Sequence, residues 1–211
     1  MDRSAAYSIL TKYIHNKNLL KHSLAAEAAM KGIYKFLYAE KSSYAKATED
    51  TWGITGLLHD VDYEIAQETN QLNMHGLLIF SDDREPNSIP EDISHAIKSH
   101  NYEDTKIQPK SDMDWAIVCA DQLTGLIVAG ALVHPARNAS HSDAGGPENN
   151  NSVLMQITPE YILKRFGEKS FARGAKREPI QLCEEKLGIP LKEFINIVLF
   201  AMQGIHNELG L

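Results

Sequence analysis

The residues in this chain whose types could act together chemically are His22, the adjacent pair His59 and Asp60, His75, His95, His100 and Asp121. Imidazole nitrogens and carboxylate oxygens without thiolate make a borderline-to-hard ligand set, suited to iron, manganese, nickel, cobalt or zinc. A single histidine on a helix is usually a surface or hydrogen-bonded residue, so position has to separate ligands from bystanders. His22 has Leu19 at i−3 and Ala25 and Ala26 at i+3 and i+4, which puts it on an apolar, core-facing stripe. Asp121 shares a face with Ile117, Thr124 and Val128. An unpaired carboxylate buried there would be strongly unfavourable, so a metal or another cation is its expected partner.

The same periodicity divides the later histidines. Ile93, Ala96, Ile97 and His100 follow the i, i+3, i+4, i+7 pattern, so His100 faces the core. His95 lies five residues earlier, roughly 140° round a 3.6-residue helix, and points elsewhere. His75 sits between Met74 and Leu77-Leu78 in a short apolar segment, a weaker signal. His59 and Asp60 end the run Gly53-Ile-Thr-Gly-Leu-Leu58. Adjacent side chains diverge on a continuing helix, so both reach one ion only if the backbone bends there.

The elements that must position these groups are helical. Apolar residues recur at helical spacing nearly throughout, and the chain reads as all-α. Helices are expected at Ala5–Ile14, Asn18–Ala39, Thr51–His59, briefly at Leu72–Phe80, then at Glu91–His100 and Asp112–Val133. Beyond a loop come Pro159–Phe166, Glu178–Leu187 and Leu191–Leu209. Pro90 before Glu91-Asp92, Asp112 before an apolar run, Thr158-Pro159-Glu160 and Pro190 are start signals. The segment from His134 to Ser152 is rich in Asn, Ser, Gly and Pro and reads as a polar loop, and Glu40–Asp50 as a shorter connector. The expected organisation is a helical core over 1–135, a polar loop over 136–152 and a helical C-terminal extension over 153–211 that packs on the core.

Composition limits the function classes. At 43% apolar residues the chain can bury a sizeable core, and a formal net charge of −7 argues against a nucleic-acid polymer as partner. Cys119 and Cys183 are the only cysteines, too few for a disulfide framework and fitting a reducing compartment. The first residues lack a continuous signal-peptide core. Ala116–Val133 is apolar enough to raise the question of a membrane span, but Asp121, Gln122 and Thr124 near its middle favour a buried helix. A cytoplasmic chain with no membrane partner is expected, with a homodimer left open.

The ordered set His22, then His59-Asp60 in GLLHDVDYE, then Asp121 in ADQLTGLI resembles the HD superfamily of metal-dependent phosphohydrolases. The likeness runs from about Asn18 to Val133 and extends through SFARG and the last helix to small stand-alone HD proteins. It implies an HD-domain helical bundle in which His22, His59, Asp60 and Asp121 bind one divalent ion. Members with further histidines in the interval hold two, so by position Asp60 would bridge, with His75 and His100 completing the second site. Val61-Asp62 replaces the Ile-Gly of the HDIG variant, and the Gly-Tyr-Pro motif of cyclic-dinucleotide phosphodiesterases is missing.

The implied function is phosphomonoester or phosphodiester hydrolysis of a small phosphorylated metabolite or nucleotide. A bound ion would activate water, and Asp60 would fix the spacing of two ions at ~3.5–4 Å. Asp62 and Glu64 are candidate catalytic orienters or proton shuttles, and equally candidate solvated turn residues. For phosphate, the richest basic supply is Lys164, Arg165, Lys169, Arg173, Lys176 and Arg177. Arg173 is the leading contact and Lys21 and Lys98 are further ones, against the plainer alternative of a solvated basic face. The same ligand set would also serve a diiron oxygenase of this fold or a non-catalytic nucleotide sensor.

Overall fold

The structure is a computed structural model that describes residues 1–38, 47–81, 84, 88–139 and 152–211. No strand occurs among the described residues, and the chain is all-α. The helices are α1 (Arg3–Tyr13), α2 (Lys17–Tyr38), α3 (Glu49–Leu58), α4 (Tyr63–Glu68), α5 (Glu91–His100), α6 (Tyr102–Thr105) and α7 (Asp112–Leu132). They continue with α8 (Ala136–Ala139), α9 (Val153–Gln156), α10 (Pro159–Gly167), α11 (Arg177–Leu187), α12 (Leu191–Gln203) and α13 (His206–Leu209).

Two helices organise the rest. α2 buries Ala25, Ala26, Ala29, Met30 and Ile33 along one stripe. Its small residues let α3 come against it backbone to backbone: a Cβ on Gly56 would lie 2.4 Å from the Ala26 carbonyl oxygen. α7 begins with a capping box in which the Ser111 hydroxyl accepts from the Asp114 N–H and the Asp114 carboxylate accepts from the Ser111 N–H. It is apolar on nearly every side because α2, α5, α10, α11 and α12 surround it. α7 is long and apolar enough to cross a bilayer, but it is mostly buried, as the core helix of a soluble protein is. Ile162, Ile180, Cys183, Phe194, Val198 and Met202 of the C-terminal helices join the same apolar cluster as α2 and α7.

Several expected elements take a different form. The short helix expected at Leu72–Phe80 is two 3₁₀ turns, Leu72–Met74 and Leu78–Phe80, with Gly76 between them at φ +90°. A side chain there would also press on the Ile97 carbonyl oxygen, 2.9 Å from an ideal Cβ. The final helix is broken at Gly204-Ile205 into α12 and α13. Tyr63–Glu68 and Tyr102–Thr105 add helical turns where none was assigned, and α8 occupies the start of the expected loop. Residues 140–151 of that loop, and 39–46 of the shorter connector, lie outside the described residues.

Candidate metal centre

α2, the end of α3, the Gly76 turn, α5 and α7 each send side chains to one place. His22, His59, Asp60 and Asp121 place one ligand atom each within 4.8 Å of one another, and Asp60, His75 and His100 do the same. Asp60 belongs to both groups: its Oδ2 lies 3.4 Å from His22 Nε2, while Oδ1 faces His59 Nε2 at 3.4 Å as well as His75 Nε2 at 2.8 Å and His100 Nε2 at 3.5 Å. Asp121 Oδ1 lies 3.0 Å from His22 Nε2 and 3.5 Å from His59 Nε2. α3 ends at Leu58, and the turn that follows brings His59 and Asp60 to the same centre despite their adjacency.

The outer nitrogen of each ring is anchored. His59 Nδ1 donates to the Gly56 carbonyl at 2.8 Å, His100 Nδ1 to the Ile97 carbonyl at 2.6 Å, and His75 Nδ1 to Asp62 Oδ1 at 2.9 Å. The Thr124 hydroxyl donates to the Asp121 carbonyl at 2.8 Å, which leaves its lone pairs facing His22 Nδ1 at 3.4 Å. With the Nδ1 protons so committed, the Nε2 lone pairs face inward. Two pairs meet nearly head to head, His22 with His59 at 3.2 Å and His75 with His100 at 3.0 Å. Lone pairs facing each other beside two carboxylates repel unless a cation lies among them, and this outer anchoring is how metal-binding histidines are held. The donor set therefore fits one or two divalent transition ions.

Without an ion, protons take that role. Burial opposes charge on His22, but hydrogen bonds to Asp121 and Asp60 outweigh it and push the ring up to about 10. Burial likewise opposes charge on His75, and Asp60 and Asp62 raise it to about 10. The carboxyls of Asp60 and Asp121, though buried, are held well below the usual carboxylate range by the surrounding imidazoles.

Asp62 is fully buried and accepts from the Gly76 N–H at 2.9 Å and the Ile79 N–H at 3.1 Å as well as from His75. It touches a ring of the cluster and not the cluster's centre. Glu64 is committed elsewhere: it accepts from the backbone N–H groups of His15 and Asn16, at 3.1 and 2.6 Å, and so fastens the turn between α1 and α2. His95 pairs with Asp114 at 3.0 Å, away from the cluster, while His100 turns inward.

A cavity of about 490 Å³ opens onto the cluster, lined by Asp60, Tyr63, His75, His100, Tyr102 and Lys176 among others. Arg173, Lys21 and Lys98 do not line it. Arg173 is exposed, the Lys98 ammonium lies 4.4 Å from the centre of the Phe80 ring, and Lys21 Nζ reaches toward Gly210. From the same basic island it is Lys176 that reaches the mouth, where its ammonium pairs with Glu103 at 3.0 Å. Sequence reasoning also passed over Gln122, whose Nε2 donates to Asp121 Oδ2 at 2.7 Å and whose Oε1 accepts from the Lys176 N–H at 2.9 Å. Its position next to Asp121 was the available signal. A larger cavity, about 710 Å³, lies between α2 and α12 and shares no residue with the cluster.

No family model matches this chain, and no curated protein or solved structure matches it either.

Proposed function

We propose that the chain is a metal-dependent phosphohydrolase of the HD type, acting on a small phosphorylated metabolite or nucleotide in the cytoplasm. The observation that carries this reading is the convergence of His22, His59, Asp60, His75, His100 and Asp121 into two ligand groups joined through Asp60. The order of those residues along the chain, with the His-Asp pair after a buried helix, is that of the HD superfamily. When bound, divalent ions lower the pKa of water toward ~7 and polarise a phosphoryl oxygen. The protein's own residues do the positioning. Asp60 sets the separation of the two groups, Asp62 orients His75, and Thr124 and Gln122 orient His22 and Asp121. Lys176, at the mouth of the cavity, supplies fixed positive charge to an incoming phosphoryl group in the place expected of Arg173.

The test is metal analysis of the purified protein, followed by an anaerobic hydrolysis screen of phosphomonoesters, read by phosphate release, and of phosphodiesters, read by release of the alcohol, with added manganese, cobalt or nickel. Hydrolysis of a phosphoester without oxygen, supported by a redox-inert ion, is the expected result. Oxygen consumption with a mixed-valent iron signal would establish the diiron oxygenase instead, and ligand binding with neither reaction would establish a sensor.

A further inference from the structure

A second cavity, about 400 Å³, also reaches the metal centre, and it does so from the other side of Asp121. It shares His22, Asp121 and Gln122 with the 490 Å³ cavity. Along α7 the two are separated by that shared wall: Val118, one turn before Asp121, lines the first, and Gly125, one turn after it, lines the second. The remaining walls of the second cavity are Ala172, Gly174 and Ala175, which add almost no side-chain bulk.

That opening is maintained by specific contacts. Ala172 takes φ +45°, a conformation costly for a residue other than glycine. The Arg177 guanidinium holds the turn by donating to the carbonyls of Phe171 at 2.6 Å, Ala172 at 3.0 Å and Ala175. On α7, an ideal Cβ at Gly125 meets no atom within 4 Å.

We infer that the second cavity receives a second organic substituent of the phosphoryl group, so that the substrate class is a phosphodiester. The inference rests on the phosphohydrolase reading above. In-line displacement puts the attacking water and the leaving oxygen at the two apical positions, so the second ester oxygen of a diester stays equatorial and its organic arm leaves phosphorus in a direction different from the leaving arm's. A monoester has one organic arm and fills one cavity. A diester has two, and a centre open on both sides of Asp121 accommodates both, each cavity being within the size range of small-molecule sites. In the reaction water adds its oxygen to phosphorus, one P–O ester bond breaks, the alkoxide leaves with a proton, and a monoester remains.

The probes are bis(4-nitrophenyl) phosphate and 4-nitrophenyl phosphate for hydrolysis, with diphenyl phosphate and phenyl phosphate for binding by thermal shift, all on the metal-loaded protein. Wild type should cleave the diester in preference and gain Tm with diphenyl phosphate. Gly125→Leu fills the second cavity from a helix position with free space, and its own melting curve shows whether the fold is intact. It should lower the ratio of diester to monoester cleavage at least tenfold and abolish the Tm gain with diphenyl phosphate while keeping that with phenyl phosphate. Gly174→Val, on the opposite wall, should do the same. Cleavage of the monoester alone by wild type, or an equal fall for both esters in folded variants, would overturn the inference. If neither ester is cleaved, the hydrolase reading fails, and the Gly125-dependent Tm gain with diphenyl phosphate then decides the cavity's role alone: its presence supports a subsite and its absence removes it.

Discussion

The Asp62 carboxylate receives His75 Nδ1 at 2.9 Å while also accepting the backbone N–H groups of Gly76 and Ile79, so one buried acid sets both the ring and the turn that carries it. Asp62→Asn keeps one acceptor oxygen but loses the charge. The expected result is a ~10–100-fold weaker second ion with little change in the first. Asp62→Ala should in addition unfold more easily, by about 1–3 kcal/mol for each buried N–H left without an acceptor. Metal stoichiometry and urea melts read both effects. Two ions held at wild-type affinity by the Asn variant would remove Asp62 from the metal centre.

His100 and His95 lie on one helix with opposite assignments. His100→Ala should leave one of two ions, and His95→Ala should leave both, because His95 meets Asp114 and not the cluster. Metal content of the two variants, measured after the same dialysis, distinguishes them. The reverse pattern would show that α5 is rotated from the arrangement described.

Ion uptake should release protons. His22 and His75 are raised from an ordinary 6.5 to about 10, so both rings are protonated at pH 7 and an ion has to displace both protons. About two protons should leave per fully loaded centre, and affinity should climb with pH until about 10. Titration calorimetry in buffers of different ionisation enthalpy counts them. For the ion-free protein the signs differ by group. The raised imidazoles contribute stability that is fully present below 6.5 and lost as pH rises through about 10. The lowered carboxyls of Asp60, Asp62 and Asp121 contribute stability that is present above the ordinary carboxylate value, 3.8, and lost as pH falls below it. A plateau in ion-free Tm between those limits is expected, and a Tm that rises steadily above pH 9 would contradict it.

Glu64→Ala should change stability and leave metal content alone. The carboxylate accepts N–H groups at the entry to α2, in the manner of a helix cap, so the loss should be about 0.5–2 kcal/mol. A loss of bound ion with unchanged stability would return Glu64 to the site.

Gly56→Ala tests the contact on which the first ligand group depends. The added methyl would meet Ala26 O at 2.4 Å and Ala26 C at 2.6 Å, and neither backbone atom can swing aside. The two helices would have to part, at about 1–3 kcal/mol of overpacking. Since His22 is on one and His59 follows the other, metal affinity should fall together with Tm. Affinity preserved at a lowered Tm would show that the ligands adjust independently of the helices.

The periodic helices and the inward-facing His and Asp side chains were legible because burial imposes a pattern on the sequence. His22, His100 and Asp121 share stripes with apolar neighbours, and those stripes face the core as expected. What could not be read depends on tertiary partners. The turns around Gly76 exist because Asp62, more than ten residues earlier, accepts their N–H groups, and no local pattern encodes that. Glu64 and Asp62 looked alike as acids beside the His-Asp pair, yet one binds the α1–α2 turn and the other a ring of the centre. Arg173 and Lys176 belong to one basic run, and only the direction of the turn held by Arg177 decides which of them reaches the cavity. The last helix, expected to run unbroken over Leu191–Leu209, ends instead at Gln203, before Gly204.

The groups that could hold an ion are drawn from segments that are distant along the chain but share one centre. An ion at that centre acts as a reversible cross-link among α2, the end of α3, the Gly76 turn, α5 and α7, adding RT ln(1 + [L]/Kd) to the free energy of unfolding. Fraying of any one of these segments weakens the hold of the others on the ion. The supply of metal in the cell would then govern how long a copy of the chain persists as well as whether it works, since the unloaded form is the one that opens more often to proteases.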